Sequence, residues 1–164
     1  GAITTDPARR HLLLALAATP AALLAARAQA NPFKRPTVHV WKSPTCGCCT
    51  AWVDHMRAAG FTVNITEVDD TGPTRKRLGM PAKLGSCHTA LVGGYVLEGH
   101  VPADDVKRLL RTKTAGLGLS VPGMPVGSPG MEMGPRLDPY DVLLVQRDGR
   151  TSVFSHYPKT KPQA

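Results

Sequence analysis

The chain has 164 residues, a formal net charge of +8 and 42% hydrophobic residues. That length suits one compact domain with a real core and is short for two. The basic residues are scattered and aromatic residues make up only 5% of the chain, so a solvated basic surface explains the charge and a nucleic-acid partner is not predicted.

Residues 1–30 have the pattern of an export signal. The pair Arg9-Arg10 precedes an uncharged apolar run at 12–26, and a small-x-small cleavage pattern follows it. This run of 15 residues is shorter than the roughly 20 that a membrane-spanning helix needs, so a removed leader is predicted, with no membrane span after its removal. The arginine pair leaves both the Sec and the twin-arginine routes open. We expect a periplasmic protein in which residues 31–164 form a single domain.

The mature chain begins with a predicted strand at 37–42 and a helix that starts near Cys48 and ends near residue 59. Three cysteines lie within four positions between these elements, and Cys46 and Cys49 have the Cys-x-x-Cys spacing. They therefore lie at the N-terminus of a helix, where unpaired backbone N–H groups and the helix dipole favour thiolates.

The next elements indicate the fold class. They are a strand at 61–68, a short helix at 74–78, two strands at 86–92 and 95–101 joined by a Gly-Gly turn, and a helix at 102–110. Strand, helix and strand of this length predict a right-handed parallel crossover. The order β-α-β-α-β-β-α is that of a thioredoxin-like α/β fold. It places the cysteines at the end of the first strand, where ligands bind in open α/β sheets.

Residues 115–135 differ in composition from the rest of the chain. They contain six glycines, four prolines and three methionines, so neither a helix nor a central strand is predicted there. A C-terminal β-hairpin with strands at 141–147 and 151–157 follows. Because ordered elements stand on both sides, this long Gly/Pro/Met-rich loop is interpreted as a lid and not as a free linker.

All four cysteines lie in the mature chain, and three of them are too close together to staple distant parts of a fold. Cys87 precedes the third strand, where its sulfur can face the other three. The spacing indicates a soft metal site or a redox thiol. A Cys46–Cys49 disulfide with two spectator cysteines remains an alternative, as does a purely packing role for Cys87.

Histidines and methionines near these cysteines have two readings each. His88 is either a ligand or an ordinary strand histidine, since neighbouring strand residues point to opposite faces. Met124, Met131 and Met133 either form a thioether lid over the sulfurs or pack the loop onto the core. Structural or surface roles are expected for the other histidines considered: His39, His55, His100 and His156. The two tryptophans, Trp41 and Trp52, are expected to pack around the site.

Four motifs in this order resemble the family of the periplasmic copper-resistance protein CopG. They are Cys46-Gly47-Cys48-Cys49, Ser86-Cys87-His88-Thr89, Val101-Pro102-Ala103, and Gly123-Met124-Pro125 with Gly127-Ser128-Pro129-Gly130-Met131-Glu132. The resemblance covers residues 37–157. It implies a thioredoxin-like fold, cysteine-bridged copper binding, a role in copper tolerance and a candidate role in interconverting copper oxidation states. No proline occupies 86–88, where thioredoxin-like proteins usually carry a cis-proline, and this weakens a general disulfide-exchange role.

With copper implied by the resemblance, the donors favour Cu(I), because thiolates and thioethers are soft ligands. Bridging sulfurs in Cys46, Cys48, Cys49 and Cys87 predict a multinuclear site. Copper ions and other periplasmic copper-handling proteins are the expected partners, and copper oxidoreductase activity is left open. The alternatives are a thiol–disulfide oxidoreductase with Cys46 as nucleophile and Cys49 as resolving thiol, a single-ion carrier, or a structural zinc site.

Overall fold

The computed structural model describes residues 34–159, and the predicted export signal at 1–30 lies outside them. Among the described residues, none of the helices combines the length and apolarity needed to cross a bilayer. The elements in chain order are β1 (Val38–Lys42), α1 (Gly47–Ala58), β2 (Val63–Glu67), α2 (Gly72–Arg77), a 3-10 turn (Ala82–Leu84), β3 (His88–Val92), β4 (Tyr95–Glu98), α3 (Ala103–Thr112), β5 (Gly118–Ser120), β6 (Tyr140–Val145) and β7 (Thr151–Tyr157).

Seven strands form one mixed sheet in the order β2-β1-β3-β4-β5-β6-β7. The pair β1–β2 is parallel, as predicted for a strand-helix-strand unit, and β3 runs antiparallel to both β1 and β4. The predicted element order from β1 to α3 is confirmed, and so is the final hairpin of β6 and β7. The chain has a thioredoxin-like α/β fold whose sheet is extended by three strands.

One part of the fold prediction was wrong. The window 115–135 was expected to contain no central strand, yet β5 lies between β4 and β6. The prolines of this window begin only at Pro122, and the stretch before them is buried. Gly118 allows the close approach, because a Cβ at this position would lie 1.7 Å from the carbonyl oxygen of Val96. The composition of the whole window therefore concealed a short strand at its start.

Hydrophobic side chains cover both faces of the sheet. Val38 and Val40 of β1 pack with Trp52 of α1 and Leu109 of α3. The opposite face has a smaller cluster: Met80, Leu84, Val96, Leu117 and Val145. The larger cluster therefore holds β1 against α1 and α3 on one face of the sheet.

The sheet register brings the start of α1 close to the start of β3. β1 ends at Lys42, which pairs with His88, the first residue of β3. The chain then turns from β1 into α1 through four residues, so the N-terminus of α1 and Cys87 meet at the same edge of the sheet. Two segments 40 residues apart in the sequence thus supply one site.

Candidate metal centre

The four cysteine sulfurs converge at this edge. The Sγ atoms of Cys46 and Cys48 are 3.5 Å apart, and those of Cys48 and Cys87 are 3.9 Å apart. All four sulfurs lie within 4.8 Å of one another. Cys49 is buried and the other three are half-buried. The expected approach of Cys87 to the other three cysteines is therefore observed.

Cys46 and Cys49 are joined by a disulfide, while Cys48 and Cys87 carry free thiols. Cys46 is also the N-cap of α1, where its sulfur accepts a hydrogen bond from the backbone N–H of Cys49 at 3.3 Å. The structure therefore contains the oxidised form of the Cys-x-x-Cys pair. Four thiolates become available only after two electrons have reduced this disulfide.

A buried ion pair holds the segment that carries Cys87. The carboxylate of Glu98 accepts hydrogen bonds from Arg75 Nε at 2.7 Å, from the Ser86 N–H at 2.8 Å and from the Thr89 hydroxyl at 2.6 Å. Arg75 also donates to the carbonyl oxygen of Ser86 at 2.7 Å. The N–H and the carbonyl oxygen of Ser86 are thus hydrogen-bonded to the two members of one ion pair. These bonds fix the backbone next to Cys87.

Two histidines meet the sulfur of Cys87. His88 Nδ1 is 3.4 Å and His100 Nε2 is 3.1 Å from Cys87 Sγ, and both histidines are fully buried. For His100 the prediction of a structural or surface role missed this contact. The hairpin register would have indicated this contact. Across the two-residue turn at Gly93-Gly94, each residue of β3 faces the residue of β4 that is equally far from the turn. When this register is continued beyond the strands, Cys87 faces His100.

His88 contacts Cys87 although neighbouring strand residues normally point to opposite faces. Cys87 lies just before β3, so the alternation of a regular strand does not extend to it. Burial, and then the neighbouring His100, lower the pKa of His88 to about 3, and burial also lowers the pKa of His100. Both imidazoles are therefore neutral near pH 7, which is the form that binds metal ions.

Cys87 is partly shielded from water. Burial, and then the neighbouring Cys48, raise the pKa of the Cys87 thiol to about 12. At neutral pH this thiol keeps its proton, so a metal ion that binds its sulfur displaces that proton.

Trp52 packs against the site, as predicted. Its indole ring packs against His88 with 4.5 Å between ring centroids, and its Nε1–H donates to the carbonyl oxygen of Val101 at 2.9 Å. Trp41 lies elsewhere: it alternates with the buried residues of β1 and stacks under the guanidinium of Arg77. The expectation for Trp41 was therefore wrong, because strand alternation turns its side chain away from α1.

The other three histidines within residues 34–159 stand apart from this cluster. His55 Nε2 accepts the backbone N–H of Ala103 at 3.0 Å and so satisfies the first turn of α3. His39 and His156 are exposed. These positions agree with the structural and surface roles expected for them.

The Gly/Pro/Met-rich loop packs over the start of α1. The carbonyl oxygen of Pro129 lies 2.7 Å from His100 Nδ1, and the backbone N–H of Gly123 donates to Gly85 at 3.2 Å. Gly130 is so close that a Cβ on it would lie 2.7 Å from the carbonyl oxygen of Cys48. The loop thus covers one side of the cysteine cluster.

The three methionines of this loop differ in position. Met124 Sδ lies 4.0 Å from Cys48 Sγ, although its side chain is 51% exposed. Met131 is half-buried and Met133 is 66% exposed. Met124 is therefore the methionine whose contact with the cysteines is observed.

The sheet order, the cysteines at the start of α1 and the converging donors define a thioredoxin-like α/β protein with a cysteine cluster that could hold a metal ion. A family model described as "Protein of unknown function, DUF411" matches residues 84–131, and no curated protein matches the chain. Two solved structures, described as "Copper resistance protein copG- Form 2" and "Copper resistance protein copG- Form 1", are 44% and 45% identical to it. Each match covers 76% of this chain and 99% of the solved chain, with a TM-score of 0.72. The chain belongs to the CopG family.

Proposed function

We propose that this protein binds copper as Cu(I) through the thiolates of Cys46, Cys48, Cys49 and Cys87 and serves in copper resistance in the periplasm. The observation that carries the proposal is the convergence of the four sulfurs within 4.8 Å. Soft thiolates select Cu(I), Zn²⁺ or iron–sulfur clusters, and the copper-resistance description of both solved relatives favours copper among these.

The sulfur separations support more than one ion. Two thiolates on one ion, at metal–sulfur distances of about 2.3 Å as for zinc, lie about 3.8 Å apart at a tetrahedral angle and about 4.6 Å apart when collinear. The distances from Cys48 to Cys46 and to Cys87, 3.5 and 3.9 Å, are close to this range. Because Cys48 is near both neighbours, its thiolate would be able to join two copper ions, and this supports the proposal of a multinuclear group.

Further donors complete the proposed site. His88 adds an imidazole next to Cys87, and Met124 adds a thioether next to Cys48. Met131 and Met133 belong to the same loop and are proposed as thioether donors of the lid. Since Met133 is 66% exposed, its ligation requires a movement of the loop.

The oxidation state of the site is part of the proposal. Full loading requires reduction of the Cys46–Cys49 disulfide by an external dithiol, which passes two electrons and two protons to the pair and itself becomes a disulfide. Copper binding then displaces the protons of the two thiols that result. Three of the four cysteines are half-buried, so copper bound there lies near solvent and can exchange electrons with a partner. We therefore include interconversion of Cu(I) and Cu(II) as an activity of the bound copper.

The location follows from the pattern of residues 1–30, which is that of an export signal. A periplasmic site would receive copper from, or deliver it to, other periplasmic copper-handling proteins. The basic surface needs no nucleic-acid partner.

A second candidate function is thiol–disulfide exchange. The disulfide between Cys46 and Cys49 at the N-terminus of α1 favours it, because this arrangement lowers thiol pKa values and supports attack on a substrate disulfide. Against it, two more sulfurs adjoin the pair: Cys48 Sγ lies 3.5 Å from Cys46 Sγ, and Cys87 Sγ, in the segment before β3, lies 3.9 Å from Cys48 Sγ. Copper binding uses all four sulfurs and thiol–disulfide exchange uses two.

An anaerobic Cu(I) titration of the fully reduced protein separates these functions. We expect several copper ions per chain, held against a competing Cu(I) chelator. One ion per chain would indicate a simple carrier, and preference for Zn²⁺ over Cu(I) in direct competition would indicate a structural zinc site.

Cys87→Ser provides the matching control for the second candidate. We expect this variant to lose copper from the reduced protein. If it retains the copper stoichiometry of the unsubstituted chain and reduces insulin at an undiminished rate, thiol–disulfide exchange becomes the better account.

A further inference from the structure

Cys87 takes part in a second group of donors besides the four sulfurs. One nitrogen of His88, one nitrogen of His100 and the sulfur of Cys87 lie within 4.8 Å of one another. None of the three takes part in the Cys46–Cys49 disulfide. This group therefore keeps all three donors in the oxidised protein. The four-sulfur group does not, because two of its sulfurs are then joined in the disulfide.

The tautomer of His100 is set by the lid loop. Its Nδ1 lies 2.7 Å from the carbonyl oxygen of Pro129, which only accepts hydrogen bonds, so Nδ1 carries the proton. The lone pair of neutral His100 is then on Nε2, the nitrogen that faces Cys87 Sγ. Metal-binding histidines are typically oriented in this way, with the second ring nitrogen donating to a carbonyl or carboxylate.

His88 is a buried polar group with an incomplete set of partners. Its Nε2 has no hydrogen-bond partner within residues 34–159, and its ring lies between Trp52 and His100. The nitrogen that faces Cys87 Sγ is Nδ1, at 3.4 Å, so an ion bound there leaves the ring proton on Nε2 and does not supply the missing partner of that atom.

The distances fit a shared ion. A sulfur and a nitrogen bound to one ion at about 2.3 and 2.0 Å, with an angle of about 90–110°, lie about 3.1–3.5 Å apart. The measured separations from Cys87 Sγ are 3.1 Å to His100 and 3.4 Å to His88. Two imidazoles and one thiolate form a borderline donor set that suits copper in either oxidation state, unlike an all-sulfur set.

We propose that Cys87, His88 and His100 form a separate nitrogen–sulfur position for a single copper ion, which remains able to bind when Cys46 and Cys49 are joined by their disulfide. The choice of copper rests on the proposed function, whereas the donor group rests on the geometry. Cys87 belongs to both groups and His88 is also a donor of the copper site proposed above, so an ion at this position adjoins the four-sulfur group directly.

The test uses the oxidised chain with Cys48→Ser, which leaves Cys87 as its one free thiol. Anaerobic titration with Cu(I) against a competing chelator is expected to give one ion per chain. His88→Gln and His100→Gln are each expected to weaken the affinity for copper by about 100-fold. Loss of a residue that only supports a metal ligand already weakens affinity by up to about 100-fold, so loss of a ligand should do at least as much. His39→Gln is the matched control, because His39 is exposed on β1, and its affinity should be unchanged.

Co²⁺, which does not oxidise thiols, serves as a second probe and is expected to give a thiolate charge-transfer band that both histidine variants lose. No binding by the oxidised chain, or equal affinity in the His100→Gln variant, overturns the proposal. If His88→Gln does not fold, the imidazole ¹⁵N signals of the parent chain decide: a shift of His100 Nε2 on Cu(I) addition supports the site and an unchanged signal refutes it. Uptake of several Cu(I) ions by the reduced protein alone would leave the proposed function standing while this inference fails.

Discussion

Removal of the arginine that holds the Cys87 segment should destabilise the whole domain. Arg75 Nε lies 2.7 Å from Glu98 Oε1, and the two side chains are 14% and 0% exposed. Arg75→Met leaves the Glu98 carboxylate buried without its cation, and breaking a buried pair in this way costs about 3–5 kcal/mol. Urea unfolding at pH 7, with the disulfide intact in all proteins, measures the loss. Copper retention should fall too, because Ser86 loses its bond from Arg75.

Two comparisons make this prediction sharp. In the double variant Arg75→Met with Glu98→Gln, the buried charge is gone but an acceptor for Ser86 remains, so more than half of the lost stability should return. Arg150→Met removes an exposed ion pair and should leave the free energy of unfolding nearly unchanged. A loss below about 1 kcal/mol for Arg75→Met, the value typical of exposed pairs, would refute the reasoning, as would a double variant no more stable than the single one.

Three further predictions concern the lid and the disulfide. Gly130→Ala should lose more stability and more copper retention than Gly134→Ala: both glycines have positive φ, but only at Gly130 would the Cβ meet backbone, at 2.7 and 2.8 Å. A chelator challenge measures retention, and equal losses would contradict the close packing of the lid. The triple methionine variant, with leucine at 124, 131 and 133, should release copper faster, and Met124→Leu alone should account for most of the effect. Unchanged release rates would leave these residues as packing. Finally, metal analysis should find several copper ions per reduced chain and at most one per oxidised chain, and equal loading would show that the disulfide does not control the four-sulfur site.

Much of this architecture follows from local patterns. The apolar run of β1, the cysteines at a helix start and the Gly93-Gly94 turn are short-range signals, and the elements around them lie within a few residues of their predicted bounds. The convergence of Cys87 with the other cysteines followed from the fold class, because β1 and β3 are neighbours in a thioredoxin-like sheet.

Two features of the structure were missed, each for a different reason. β5 is three residues long and owes its place to the close approach of Gly118 to Val96, which composition cannot show. His100 follows β4 and has no motif of its own. Extending the hairpin register beyond the predicted strands would have placed it opposite Cys87, so this residue was predictable in principle.

X-ray absorption at the copper edge of the reduced, Cu(I)-loaded protein tests the central claim most directly. The account predicts a first shell dominated by sulfur and a neighbouring copper shell, since four thiolates within 4.8 Å of one another can share several ions. A first shell of nitrogen and oxygen would contradict joint binding by the four cysteines, and a single isolated copper ion would contradict the multinuclear site.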